Sequence, residues 1–352
     1  MSSFNILPKA KLGDWVAWLA ERYRVYGPKP SQGHYSFGVV KTADELDLNY
    51  TQTELSPRKC VFSPREQLYT YETSGMRVQA VIDSVPTVIL GVHTCDQHAI
   101  RLLDRVFAQG FGDQHYRAQR ENTLIVGLEC LRSCSEQSFC RSMGTTSPAT
   151  DVFDLHLVDL GDEYCVEVGS ARGRQLVAEF RGMFVASETD IDRRNQVLHD
   201  KWESFPYRLD CDATDLPELV GGASKSQHWQ ELGDVCLACG MCTQVCPTCY
   251  CFNIDDQVDL RLQRGSRYRS WDSCQTNEFA MVAGGHDFRG KRSARQRHRF
   301  LRKAKYQYET NDMVGCVGCG RCATACLVHI SPIKTFNELW REKNQAAQEG
   351  DG

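Results

Sequence analysis

The sequence predicts an α+β protein: an amino-terminal α/β domain followed by an α-helical domain built around cysteine-rich loops. Three observations lead there. Two short apolar runs flank an amphipathic stretch in the first half of the chain. Eleven of the 18 cysteines fall between positions 236 and 326, in two separated runs. Seventy positions separate Cys246 from Cys316, and much of the stretch 279–309 between them is helix-compatible, which suggests helices bridging two cysteine loops.

Composition bounds the rest. Hydrophobic residues make up 41% of the 352 and charged residues 24%, the balance of a soluble globular chain rather than a disordered one. Forty-one Lys and Arg stand against 45 Asp and Glu, so no strong overall field argues for nucleic acid or an anionic membrane. No apolar run approaches the roughly 18–20 residues that span a bilayer. The amino end lacks the continuous apolar stretch of a signal peptide, which places the protein in the cytosol. In that reducing compartment clustered cysteines act as metal ligands or redox groups, not as staples.

From the amino end, residues 1–25 read as a helix, with Leu12, Trp15, Val16 and Leu19 at helical spacing. Residues 26–75, rich in Gly, Pro and Tyr, read as irregular structure with short strands. The run VPTVILGV (85–92) has the β-branched character of a buried strand. Asp96 is then placed to cap a helix whose apolar face is Ile100, Leu103, Val106 and Phe107. NTLIVGLEC (122–130) is a second strand, and the strand–helix–strand order predicts a parallel pair. Residues 152–169 read as a hairpin turning near Gly161-Asp162. A polar helical stretch at about 188–204 closes the α/β domain, 1–204. A linker is expected over 205–228, and a helical cysteine-rich domain over 229–345. No Gly-x-Gly-x-x-Gly follows a strand, so nothing supports nucleotide binding by this chain.

The two cysteine runs carry the chemistry. Cys236, Cys239, Cys242 and Cys246 are followed by Pro247; Cys316, Cys319, Cys322 and Cys326 form the second set. Both have the spacing C-x2-C-x2-C-x3-C, the bacterial run for a [4Fe-4S] cluster. A cubane has four iron corners, and two-residue gaps let three cysteines of one loop reach three of them. Gly240, Gly318 and Gly320 let the backbone bend closely and offer amides to the cluster sulfurs. With two such runs in one domain, the fourth cysteine crosses to the other cluster. Cys236, Cys239, Cys242 and Cys326 are therefore assigned to one cluster, and Cys316, Cys319, Cys322 and Cys246 to the other. This makes the second domain a helical ferredoxin-like one. Structural zinc uses separated C-x2-C pairs and explains triple-stepped runs poorly. Cys242, Cys246 and Cys249 also match a radical-SAM spacing, but the roughly 100 residues that follow are too few for the barrel such enzymes use. Leu327 stands where a proline often follows the last ligand, and Pro332 is left to end the segment.

The stretch from Cys236 to Ile254, RSWDSC (269–274) and GCVGCGRCATACLVHI (315–330) together resemble the beta subunit of cytosolic nickel–iron hydrogenases of the sulfhydrogenase type. PRKCVFSPRE (57–66), GVHTCDQHAI (91–100) and the Cys130–Cys140 segment extend the resemblance over nearly the whole chain. The A subunit of anaerobic sulfite reductase shares the pattern. The resemblance implies a subunit that carries electrons between a flavin partner handling NAD(P)H and a separate catalytic subunit, hydrogenase in the first case and sulfite reductase in the second. Nickel ligands are then expected on that other subunit.

Weaker signals remain. Cys95, Cys130, Cys134 and Cys140 lie at or just after strand ends, where loops of a parallel sheet converge on sites. They are candidate ligands for a third metal centre, an iron–sulfur cluster or another metal, or buried thiols that simply pack. A competing class makes the chain itself catalytic, with a metal site around Cys95 and Cys130. Cys249, Cys251 and Cys274 are expected to pack, since eight thiolates already satisfy two cubanes; Cys60, Cys165 and Cys211 read as structural. Between Arg261 and Lys305, 13 Lys or Arg face three Asp or Glu. That run reads as a solvated face, with a docking surface for an acidic partner or compensation for anionic clusters as alternatives; no nucleic-acid-binding fold accompanies it. His93, His98, His286 and His298 read as hydrogen-bonded structure, Trp271 as a cluster shield, and Arg269 as a local partner of Asp272.

Overall fold

The computed structural model describes residues 4–83 and 85–350. Twelve strands form two sheets: β1 (Phe4–Pro8), β2 (Arg24–Ser31), β3 (His34–Val39), β4 (Arg65–Glu72), β5 (Arg77–Ala80), β6 (Thr87–His93), β7 (Thr123–Leu128), β8 (Leu155–Asp159), β9 (Glu163–Val168), β10 (Phe184–Val185), β11 (Phe252–Val258) and β12 (Arg264–Trp271). The eight-stranded sheet runs β10-β1-β9-β8-β7-β6-β2-β3, with β2, β6, β7 and β8 mutually parallel. Its centre is β6 and β7, every residue of which is buried. Val88, Ile89, Leu90 and Val92 have no exposed surface. Burial of each such side chain stabilises the fold by about 1.5–3 kcal/mol, which explains the absence of polar alternation in these runs. The expected parallel pair and the 152–169 hairpin are both present.

The expected amino-terminal helix is shorter than its periodicity suggested. Residues 1–3 lie outside the described residues, and Phe4–Pro8 is a strand between β9 and β10. Ile6 faces Val158 and Cys165 on one side of the sheet and Leu7 joins the main core on the other, a two-residue period that long-range pairing imposes. The helix proper is Leu12–Ala20, burying Trp15, Val16 and Leu19. Asp96 does not cap the helix Thr94–Phe107; His93 occupies the cap position. Asp96 instead meets Arg321 from the second cysteine run, described below.

Two departures bear on domain organisation. The segment 205–228 contains the helix Leu216–Gly222, whose Leu216, Leu219 and Val220 are buried in a second core with Trp229, Phe300, Phe336 and Leu339. Between the two cysteine runs the expected helix is present at Arg292–Leu301, and the chain ahead of it forms the β11–β12 hairpin, which the sequence did not suggest. β12 pairs with β4, so a strand from residues 65–72 of the amino half completes the four-stranded sheet β11-β12-β4-β5. That partner lies nearly two hundred positions upstream, beyond the reach of local pattern. Arg269 follows suit. It bonds Glu66 at 2.8 Å and Asp113, both from the amino half, and not its neighbour Asp272.

A buried ion pair joins the halves. Arg321 donates to both carboxylate oxygens of Asp96 at 2.7 and 2.8 Å and to the Thr53 carbonyl at 2.9 Å. Both side chains are almost wholly buried. Replacing Asp96 with Asn leaves the guanidinium uncompensated and is expected to cost about 3–5 kcal/mol in reversible chemical denaturation, whereas the paired change Asp96→Leu with Arg321→Met recovers most of it.

Candidate iron–sulfur centres

Each cysteine run folds into the same local shape. Cys236 and Cys239 lie on a loop, Gly240 turns it with φ +76°, and the one-turn helix Met241–Gln244 carries Cys242. Cys316 and Cys319 precede Gly320 (φ +78°) and the turn Arg321–Thr324 carrying Cys322. A positive φ at this point folds the chain around a central space, and only glycine adopts it without strain. Pro332 starts the final helix, Pro332–Gly350, and so bounds the second run as expected.

The structure gathers the eight cysteines into two groups that the chain order mixes. Cys236, Cys239, Cys242 and Cys326 line one cavity; Cys246, Cys316, Cys319 and Cys322 line another. Among the described residues no three of His, Cys, Asp or Glu stand close enough to share one metal ion. Thiols that meet on a single ion bind it at about 2.3 Å, whereas those on the corners of a cubane stand further apart. Four thiols lining one cavity are the donor set of one cubane. Sulfur atoms already receive hydrogen bonds: Cys236 from the Ala238 amide at 3.3 Å and from Gln296 at 2.9 Å, and Cys326 from the Ile330 amide at 3.4 Å. Such donors stabilise electron-rich sulfur and raise a cluster's potential. Burial pushes the Cys242 and Cys316 thiols up to about 12, so these groups become thiolates only where positive charge is supplied.

That charge comes partly from one helix face. In the helical run Arg292–Leu301 and the π-turn Arg302–Tyr306, the residues Gln296, Arg299 and Lys303 follow at helical spacing and point at the cavities. Arg299 is 4% exposed, lines both cavities and has no carboxylate within salt-bridge distance among the described residues. Burial opposes its charge, yet Cys242 and Cys322, one from each group, hold its pKa up. Sequence reading saw this stretch as a basic run and left charge compensation as one alternative. The 296–299–303 spacing was the available signal for which members face inward. Arg299→Gln is expected to lower the midpoint potentials of both centres, on the order of 100 mV at an effective dielectric near 20, in a spectroelectrochemical titration.

The amino half holds the second loop in place. A Cβ on Gly318 would come within 2.7 Å of the Cys140 backbone, and one on Gly320 within 2.6 Å of the Gln137 carbonyl. The Phe139 amide donates to the Gly318 carbonyl at 2.7 Å, Thr145 to the Val317 carbonyl at 2.7 Å and Ser138 to the Cys319 carbonyl at 3.2 Å. Gly320→Ala, strained in φ and clashing with backbone, is expected to empty the Cys316-containing cavity in iron analysis while sparing the other.

Cys95, Cys130, Cys134 and Cys140 also converge, beside Cys319. Cys130 accepts from Thr94, and His93 lies 4.0 Å from Cys134 while stacking on Tyr50. Burial raises all four thiols. Two buried cations nearby are already neutralised: Arg321 by Asp96, and Lys201 by Glu129 at 2.7 Å. Trp271 lines neither cluster cavity; it stacks on Phe62 beneath the Arg58 guanidinium. Cys249, Cys251 and Cys274 line a separate cavity.

Comparison with known proteins agrees with this geometry. Residues 235–330 match a 4Fe-4S dicluster domain, which makes the chain an iron–sulfur protein of the dicluster class. Its sequence is 36% identical over 321 residues to sulfhydrogenase 2 subunit beta of Pyrococcus furiosus, covering 91% of this chain and 93% of that one. The chain belongs to the sulfhydrogenase beta-subunit family and is an iron–sulfur electron-transfer subunit. No solved structure matches it. Among the described residues no helix is long and apolar enough to cross a membrane.

Proposed function

We propose that the chain relays electrons, within a multisubunit cytosolic oxidoreductase, between a flavin subunit that handles NAD(P)H and a hydrogenase catalytic subunit. The observation that carries this reading is the pair of four-thiol cavities separated by a single buried guanidinium. A [4Fe-4S] cluster in each would take up and release one electron at a time. Cys236, Cys239, Cys242 and Cys326 would hold one, and Cys246, Cys316, Cys319 and Cys322 the other. The protein's own part is then positional and electrostatic. Arg299 faces both centres and favours the reduced, more negative state of each. The amide and Gln296 donors trim charge on the Cys236 and Cys326 sulfurs. Arg321, locked on Asp96, sets the second loop against the amino half. Cys239 is exposed whereas Cys319 is buried, so the first centre is open to a partner and the second sits deeper.

The hydrogenase reading is favoured over sulfite reduction by the relative's name, and the two differ in what the complete assembly turns over. In the purified complex, Cys322→Ser is expected to abolish hydrogen-driven NAD(P)+ reduction and leave dye reduction by the catalytic subunit intact. Unchanged NAD(P)+ reduction would sink the relay, and sulfite-dependent NAD(P)H oxidation would transfer it to the other complex. Crossed ligation has its own check. Cys246→Ser should remove the centre of the second run, with roughly four iron atoms lost, and keep the signal of the first.

The convergent thiols Cys95, Cys130, Cys134 and Cys140 support a subsidiary proposal, a third centre next to Cys319. Burial of Cys95 and Cys130 leaves neither open to a substrate, which favours a relay role there over catalysis by this chain.

A further inference from the structure

Three cysteines remain that neither the motif spacing nor the dicluster match employs. Cys249, Cys251 and Cys274 come together from the turn after the first run and from the end of β12. They line a cavity of about 320 Å³. The Cys249 amide donates to the Cys246 carbonyl at 3.4 Å and the Asp272 amide to the Cys251 carbonyl at 2.9 Å, so backbone contacts hold these segments together and beside the second centre's ligand set. His298 faces the same cavity from the helix Arg292–Leu301, and no hydrogen bond engages its ring among the described residues.

The charge around this cavity is what separates it from a packed pocket. Arg299, Arg302 and Lys303 line it, and among the described residues none of the three is paired with a carboxylate. Arg302 bonds the Tyr250 hydroxyl and Lys303 the Thr248 hydroxyl, both neutral. Arg299 is buried with its Nε unpartnered. Arg299 and Lys303 also face the motif thiols, but Arg302 lines only this cavity of the three, and an anionic group here offsets its charge. Beside the amino-half thiols, by contrast, the buried cations Lys201 and Arg321 are each paired with a carboxylate.

We propose that this cavity binds an additional [4Fe-4S] cluster, held by Cys249, Cys251, Cys274 and the imidazole of His298. A single zinc ion is the alternative for a Cys3His set, and counting zinc against iron and acid-labile sulfide separates the two. The cluster lies between the second centre, with which it shares Thr248, Arg299 and Lys303 as wall, and the surface, where Phe252 at the cavity's edge is 40% exposed. It gives the relay an opening to a partner distinct from the one at Cys239.

The inference rests on the two-centre reading, and its test is chosen to fail separately. The full-length chain and its Cys249→Ser/Cys251→Ser/Cys274→Ser variant are reconstituted without oxygen, and iron, zinc and acid-labile sulfide are counted. The variant is expected to hold about four fewer iron atoms and keep the signals of the two motif centres. Equal iron in the two proteins, or loss of zinc in place of iron, overturns this cluster alone. Absence of iron from the wild type overturns the two-centre reading. Iron held by the amino-half thiols is common to both proteins and drops out of the difference. If the triple variant does not fold, pulsed electron paramagnetic resonance of the reduced wild type decides. A strong nitrogen coupling that disappears in His298→Cys supports the site, and a wild type without that coupling overturns it.

Discussion

The structure depends on the seating of one cysteine loop against a surface that its own half does not provide. Residues 316–322 lie on the backbone of Gln137–Cys140, so closely that two glycines are required, and Arg321 is buried against Asp96. A buried pair of this kind adds little net stability, because desolvating both ions costs about what their attraction returns. Its effect is on position. Any alternative seating leaves a charge unpaired in the interior, so the loop has one place to go. The centre that this loop lines is therefore a property of both halves of the chain.

The same economy of charge organises the four thiol-lined regions. Around the two motif cavities and the one beside Cys249, buried or half-buried cations stand among thiols and neutral hydroxyls, with no carboxylate paired to them among the described residues. Around Cys95 and Cys130 the cations face carboxylates. Iron–sulfur clusters are anions whose potentials follow local charge, so the helical run 292–306 acts as a shared electrostatic control for all centres that it touches. The π-turn Arg302–Tyr306 widens that run just where Arg302 and Lys303 line the thiol-bearing cavities, a position at which such turns often serve function.

The β11–β12 hairpin extends the theme of mutual support. It pairs with β4 and anchors Arg269 on Glu66 and Asp113, tying the 252–271 segment, with Cys251 at one end and Cys274 beyond the other, to the amino half. A cysteine-rich domain of about a hundred residues has little apolar material of its own. Here it is stabilised through a shared sheet, a small second core and the amino half's loops.

Local chemistry was legible in the sequence. The dicluster domain could be read from C-x2-C-x2-C-x3-C because three corners of a cubane must be reached from one short loop, and the buried strands β6 and β7 from apolar runs with no polar alternation. What lay beyond it were relations between distant residues. Asp96 reads as a helix cap until Arg321 is brought to it, Arg269 as a partner of Asp272 until Glu66 arrives, and Phe4–Pro8 as helix until β9 pairs with it. Cys249, Cys251 and Cys274 look like surplus thiols until a helix brings His298 and three cations alongside. Ligand spacing is a short-range constraint and is written in the chain; the burial of charge is settled only when the chain closes on itself, and tertiary structure alone decided it.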